Sequence, residues 1–323
     1  MADTGESIIE TKTFFSRVVR HRALSSSILA LMLASGDAHA GTIVRVAVTE
    51  STAARVTLTP EDSLTGRSGK LRARIVTTRR SGTIPILQRL FGDSAHRRPG
   101  VYTTSDSISG RRFSFITLLP FQSRTRGVVG GYRIGFWPGE RRGLLAANKR
   151  PDGFIEVTAA NQDTPLSEHF RLRDFLTHDQ QNVWPKYMVL NESLVDKLEL
   201  LILDLQSRGV RVARLGVMSG FRTPQYNARG VGAKGGRAKD SRHQYGDAAD
   251  VFVDNDNDGN MDDINRDGRV DLRDARMVLE SVERIEGKHP DMVGGAGLYM
   301  ATRAHGPFVH VDVRGSRARW GRT

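Results

Sequence analysis

Hydrophobic positions change their period near the middle of the chain. Over residues 41–142 they alternate, as in Val44, Val46 and Val48, then Val56 and Leu58, then Leu71 with the nearby Ile75. Compact apolar runs follow at 113–119 and 132–137, bounded by Gly, Pro, Ser and Asp, and Pro138-Gly139 reads as a turn. Period-two alternation between such residues is the pattern of half-buried strands, so 41–142 is predicted as a β-rich domain. It carries no catalytic constellation. Residues 143–164 are mostly polar and read as a connector. Beyond them helical spacing enters: Leu194, Val195, Leu198, Leu201, Ile202 and Leu205 follow the capping residue Asn191, and Gly209 closes the run. Strands are predicted at 210–218, 248–253 and 308–313, and an amphipathic helix at 272–285. This mixture predicts an α+β domain over 165–323, a small antiparallel sheet flanked by helices.

The first 40 residues follow neither pattern. Arg17, Arg20 and Arg22 precede an apolar stretch at 23–34 that is too short to span a bilayer and ends at Ala38-His39-Ala40, a small-x-small cleavage signature. Residues 1–40 therefore read as an export signal, with the mature protein in the periplasm or cell envelope. No later stretch is apolar for long enough to form a transmembrane helix. Lys and Arg number 48 against 36 Asp and Glu, a net charge of +12. The signal segment holds as many acidic as basic residues, so its removal leaves that balance unchanged. The basic pairs (Arg79-Arg80, Arg97-Arg98, Arg111-Arg112, Arg141-Arg142) are scattered, without a tail or an aromatic-interleaved motif. That argues against a nucleic-acid partner and leaves cell-wall polymers and lipid headgroups as the available polyanions, with a merely solvated basic surface as the equal alternative. The chain has no Cys, which excludes disulfides, thiolate metal sites and cysteine catalysis. A metal here must be held by His, carboxylates or carbonyls.

Three segments of the C-terminal half carry chemistry. In Ser241-Arg242-His243-Gln244-Tyr245-Gly246-Asp247-Ala248-Ala249-Asp250, His243 stands on a loop and Asp250 in an apolar strand. A carboxylate buried there requires a cationic partner. In Phe308-Val309-His310-Val311-Asp312-Val313, strand alternation puts the valines in a core and turns His310 and Asp312 to the other face. Ser219-Gly220-Phe221-Arg222-Thr223-Pro224-Gln225-Tyr226-Asn227 is a strand end running into a turn that presents Arg222. Two His and one Asp form a known catalytic zinc set whose fourth position stays open for water.

Taken together, Ser-x-His-x-x-Gly-x-Ala-x-Asp (241–250), the Ser-Gly-Phe-Arg-Thr-Pro-x-Tyr-Asn run and the late Phe-Val-His-Val-Asp resemble the zinc D-alanyl-D-alanine peptidases. That family includes murein endopeptidases and shares its metal site with hedgehog-like domains. The segment 166–175 resembles the one that opens such domains, so the likeness covers about half the chain. It implies His243, Asp250 and His310 as zinc ligands, zinc-activated water as nucleophile, and Arg222 as the group that grips a substrate carboxylate or steadies the oxyanion. Its implied substrate is peptidoglycan: peptide bonds near D-alanine or diaminopimelate, in stem peptides or cross-links. The sequence departs from the family at Pro307, where several relatives carry a carboxylate as general base. His305 and Asp312 both remain open for that role, and Asp312 could instead orient a ligand or Arg222. His169, His178 and His289 read as ordinary surface or packing residues.

Between the second and third ligands, residues 254–274 repeat D-x-[D/N]-x-D-G-x-x-D with a nine-residue period. Asp254, Asp256 and Asp258 form the first copy's donors; Asp263, Asn265, Asp267, Asp271 and Asp274 form the second's. Oxygens on alternate positions suit a hard cation and Gly at the sixth position permits the sharp turn, so a structural Ca²⁺ is expected. An alternative reading of the whole protein is a non-catalytic cell-wall-binding protein in which zinc and calcium are both structural. A fourth protein ligand closing the zinc site is the feature that favours it.

Overall fold

The computed structural model describes residues 73–76, 85–95, 97–105, 112–145, 149–233 and 236–321. The expected export segment, the alternations at 44–58 and Leu71 lie outside the described residues. Strands β1 (Arg74–Val76), β2 (Gly100–Ser105) and β3 (Arg112–Thr117) form one three-stranded sheet in the order β1-β3-β2, and helix α1 (Pro85–Phe91) lies between the first two in sequence. Strand β4 (Leu119–Pro120) and the hairpin β5 (Val128–Val129) and β6 (Tyr132–Arg133) follow.

Residues 143–164, expected to be a connector, contain strand β7 (Gly153–Val157), which pairs with β4 on one side and β8 (Lys186–Met188) on the other. Phe154, Ile155 and Val157 are fully buried in it. Five residues are too few to show a period, and the strand is defined by partners distant in sequence. The apolar run at 132–137 is strand only at its start. Gly135 then takes φ 86°, where an added Cβ would stand 2.7 Å from the backbone nitrogen of Gln225. That close approach bends the chain out of the hairpin.

The second half follows the predicted elements closely. Helix α2 (Glu192–Ser207) starts where Asn191 Oδ1 accepts from the Ser193 N–H at 2.9 Å, and Gly209 sits at φ 80° beyond its end. Strand β9 spans Leu215–Ser219, shorter than the predicted 210–218, and the short helix α3 spans Pro224–Ala228. Strand β10 (Ala248–Val253), helix α4 (Leu272–Lys288) and strands β11 (Gly295–Tyr299), β12 (Phe308–Asp312) and β13 (Ala318–Trp320) complete the chain. These strands form a five-stranded sheet in the order β13-β11-β12-β10-β9, antiparallel except for the β11–β13 pair. Val251, Val309 and Val311 bury one face with Leu198, Val278 and Val282 of the two long helices. The mixed helix and small-sheet architecture is α+β.

The same core continues into the N-terminal half. Ile116, Tyr132, Trp137 and Phe154 belong to one apolar cluster with α2 and the five-stranded sheet. Trp137 is nearly fully buried and donates its indole N–H to the Gln244 carbonyl at 2.9 Å. A segment with no chemistry of its own therefore braces the turn that carries His243. Among the described residues no helix is long and apolar enough to cross a membrane.

Candidate metal centre

Sheet register assembles the site. One row crosses all five strands: Trp320 lies opposite Gly297, Gly297 opposite His310, His310 opposite Asp250, and Asp250 opposite Ser219. Residues paired this way share a face, so His310 and Asp250 meet without any help from loops. A register irregularity between Asp250 and Val251 against β9 marks the point where the row turns toward Ser219. His243 arrives from the short 3-10 turn Arg242–Tyr245 between α3 and β10. Gly246 ends that turn at φ 67°, where a Cβ would meet the Val189 carbonyl oxygen at 2.1 Å. Glycine at this position is thus required by the backbone just after β8.

Three ligand atoms converge. His243 Nε2 lies 3.1 Å from His310 Nδ1 and 3.2 Å from Asp250 Oδ1, and His310 Nδ1 lies 2.9 Å from the same oxygen. Donors about 2.0–2.1 Å from a tetrahedral ion stand about 3.3 Å apart, so the triangle has the size of one face of such a site. The remaining ring nitrogens are pinned from behind. His243 Nδ1 donates to the Gly220 carbonyl at 2.8 Å, and His310 Nε2 donates to Asp312 Oδ2 at 3.1 Å. These bonds fix the tautomers that turn both lone pairs inward. Three acceptors aimed at one point are repulsive unless a cation or a proton sits between them. The buried His243–Asp250–His310 group can hold a metal ion.

The electrostatics agree. Burial lowers the His243 pKa and keeps the imidazole neutral, the form a metal needs. Burial would raise the Asp250 carboxyl, but His243 and His310 outweigh it and hold it well below the usual carboxylate range. His310 would likewise be lowered by burial, yet its hydrogen bonds to Asp250 and Asp312 raise it. A cation entering here displaces a proton from Nδ1. The cationic partner that Asp250 requires is Arg222, whose Nη2 donates to Oδ2 while its Nε donates to Ser219 Oγ at 2.8 Å.

The two candidate bases separate in space. His305 lines a cavity of about 830 Å³ into which the metal ligands open. Its Nδ1 donates to the Gly306 carbonyl at 2.8 Å, leaving Nε2 as the lone-pair nitrogen. Asp312 does not line that cavity. It is wholly buried behind His310, where it also accepts from the Gly295 N–H at 2.6 Å and from Arg314 Nε at 2.9 Å. Its observed contacts are those of the orienting group, not of a base facing substrate. Asp312→Asn is expected to weaken metal binding by about 10–100-fold, read by competition with a chromogenic chelator. Unchanged affinity would remove this role from Asp312.

Several residues of the site have no counterpart in the expectations. Trp320 packs its ring 5.0 Å from that of His310 and donates to Tyr299 Oη at 2.8 Å. It can do so because Gly297 stands between them in the row; a Cβ there would fall 2.2 Å from the indole nitrogen. Tyr299 stacks on Phe308 at 4.5 Å and continues the wall. His178, read as an ordinary residue, also lines the cavity and bonds the Met218 carbonyl at 2.8 Å. Only the alternation of β12 signalled this face in advance; β13 and the loop at 178 offered no local signal. His169 is held by Glu199, its Nδ1 2.8 Å from Oε2, away from the cavity lining.

In the acidic insertion, Asp254, Asp256 and Asp258 come together. Both copies fold alike: Asp254 and Asp256 accept from the Asp258 N–H, and Asp263 and Asn265 from the Asp267 N–H. Gly259 and Gly268 take φ 85° and 82°. The last two expected donors are engaged otherwise. Asp271 caps α4, and Asp274 accepts from the N–H groups of Ile264, Asn265 and Asp271, so both its oxygens face backbone at the helix start.

Comparison with protein-family models, with curated proteins and with solved structures yields no match for this chain.

Proposed function

We propose that the protein is an exported zinc metallopeptidase of the cell envelope that hydrolyses peptide bonds in peptidoglycan stem peptides or cross-links. The observation that carries this reading is the open ligand set: His243, Asp250 and His310 face a cavity, and among the described residues no fourth His, Asp or Glu joins them. A structural zinc would be closed by a fourth protein ligand, which is why the binding-protein alternative ranks second. Zinc held there would supply a Lewis acid for the carbonyl and a water of lowered pKa.

The chain's own groups divide the remaining work. Arg222 is held by Asp250 and Ser219 through Nη2 and Nε, which leaves Nη1 to donate to the developing oxyanion. His305 Nε2 accepts the proton of the attacking water and returns it to the leaving amine. Trp320 and Tyr299 wall the ligands and limit solvent. Purified peptidoglycan treated with the mature protein should release new muropeptides, seen by mass spectrometry, only when zinc is present. Stoichiometric zinc without any change in muropeptides would reject the hydrolase.

We also propose a structural Ca²⁺ at Asp254, Asp256 and Asp258, supported by their convergence on the loop that joins β10 to α4. Calcium at a hundredfold excess over its dissociation constant should stabilise the fold by about 2.7 kcal/mol. A thermal midpoint indifferent to calcium and to chelator would reject that site.

A further inference from the structure

Four arginines line the metal cavity: Arg222, Arg237, Arg242 and Arg314. Three of them are neutralised. Arg222 pairs with Asp250, Arg242 grips Asp247 through Nε and Nη2, and Arg314 grips Asp312 in the same way. Arg237 differs. Its guanidinium carbon lies 4.3 Å from the centre of the Tyr226 ring, and Nη1 donates to the Tyr226 carbonyl at 2.8 Å. No carboxylate among the described residues pairs with it. The other acid on the wall, Asp240, is taken by Lys149 at 2.8 Å and by the Tyr245 hydroxyl.

Which edge of each guanidinium is free decides what it can hold. Bidentate capture of a carboxylate uses two parallel N–H groups of one planar edge. In Arg222 the Nε and Nη2 groups are already spent on Ser219 and Asp250. Its remaining N–H groups belong to a cation that Asp250 already neutralises, which suits a single bond to an oxyanion better than capture of a second carboxylate. In Arg237 one Nη1 bond is spent on the protein, and the Nε–Nη2 edge has no partner among the described residues. The side chain is also pre-positioned. Its backbone N–H donates to the Gly230 carbonyl at 3.0 Å, and Gly230 leaves the room it occupies, since a Cβ there would meet Arg237 Cδ at 2.6 Å. A half-buried cation on the same cavity wall as His243, Asp250 and His310, with no carboxylate partner among the described residues, gives the cavity a local excess of positive charge, which attracts an anionic ligand.

We infer that Arg237 is the specificity-determining residue of this cavity and recognises a free carboxylate on the peptide substrate. The inference rests on the peptidase reading for the word substrate, and on the arginine geometry alone for the recognition. It assigns carboxylate capture to Arg237 in place of Arg222, and it favours substrates whose chain ends close to the cleaved bond.

The test separates binding from turnover. The zinc-loaded protein is titrated by calorimetry with N-acetyl-L-Lys-D-Ala-D-Ala whose terminal peptide bond is N-methylated to resist cleavage, as free acid and as C-terminal amide. The wild type should bind the acid at least about tenfold more tightly than the amide. Arg237→Gln should erase that preference while zinc content and the thermal midpoint hold, and Arg237→Lys should retain part of it. With the unmethylated acid, the loss in Arg237→Gln should fall on KM rather than kcat. Equal affinity for acid and amide, no measurable binding of either, or a preference that survives in Arg237→Gln would each overturn the inference. An Arg237-dependent preference without turnover of the unmethylated peptide would instead overturn the peptidase reading and leave the recognition standing.

Discussion

His310→Ala is expected to leave the protein folded, unable to retain zinc and at least about 10³-fold less active on peptidoglycan. The size follows from what the ion supplies: several kcal/mol of charge stabilisation in the transition state, with each 1.4 kcal/mol worth a factor of ten. The loss should exceed that of Asp312→Asn because His310 would offer an atom to the ion itself, whereas Asp312 only orients that ring. The strand should survive the change. His310 sits between Val309 and Val311, which keep their core contacts, and Asp312 keeps its bonds to Gly295 and Arg314. Far-ultraviolet circular dichroism and the thermal midpoint check that point. Indole fluorescence adds a local probe, since Trp320 lies against the missing ring. A variant that still binds one zinc tightly, or still digests peptidoglycan at the wild-type rate, would contradict the assignment of His310.

Lys197→Ala should be the most damaging substitution away from the site, lowering stability by about 3–5 kcal/mol. The side chain is wholly buried, and its ammonium donates to Glu286 Oε1 at 2.6 Å, to the Asp312 carbonyl at 2.8 Å and to the Met292 carbonyl at 3.0 Å. Burial lowers its pKa, a pull that Glu286 opposes. Alanine would leave a cavity and two carbonyls without donors. It would also leave Glu286, itself buried, with Arg319 and the Gly294 N–H as its remaining partners. Lys197→Met keeps the volume and should recover part of the loss. At about 2 °C per kcal/mol for a chain of this size, the alanine variant should melt about 6–10 °C below wild type. A shift of less than about 2 °C would mean that water or a rearranged neighbour replaces the ammonium. Because one of its bonds grips the carbonyl of Asp312, Lys197 also ties α2 to the end of the strand that carries His310.

Legibility in the sequence follows the range of the interactions that define each feature. Helix α2 was readable from its apolar spacing, from Asn191 and from Gly209, because cap and periodicity are set within a few residues of chain. Strand β10 was likewise readable at its exact limits, 248–253, since a run of small and branched apolar residues after Gly246 has no other local use. Strand β7 is not legible in the sequence, being five residues that acquire strand geometry only by lying between β4 and β8. Arg237 and His178 were unremarkable in sequence for the same reason. The neighbours that give them meaning, Tyr226 and the cavity wall, lie across turns that no local pattern predicts.

Chemical identity and alternation are local properties of the chain. The absence of Cys limits ligands to His, carboxylates and carbonyls, and the two-residue repeat of β12 places His310 opposite in sense to Val309 and Val311, because successive Cβ atoms on an extended chain must point to opposite faces. Which residues stand side by side depends instead on how the chain packs. The row Trp320–Gly297–His310–Asp250–Ser219 exists because five strands from distant parts of the chain are locked in one register by the burial of their other face against α2 and α4. A shift of one residue in any of them would send its side chain to the opposite face, so register is a property of the packed core and not of any one strand. The same packing sets Asp312 behind His310 and ties Arg222 to both Asp250 and Ser219, and it leaves Arg237 with an edge to spare.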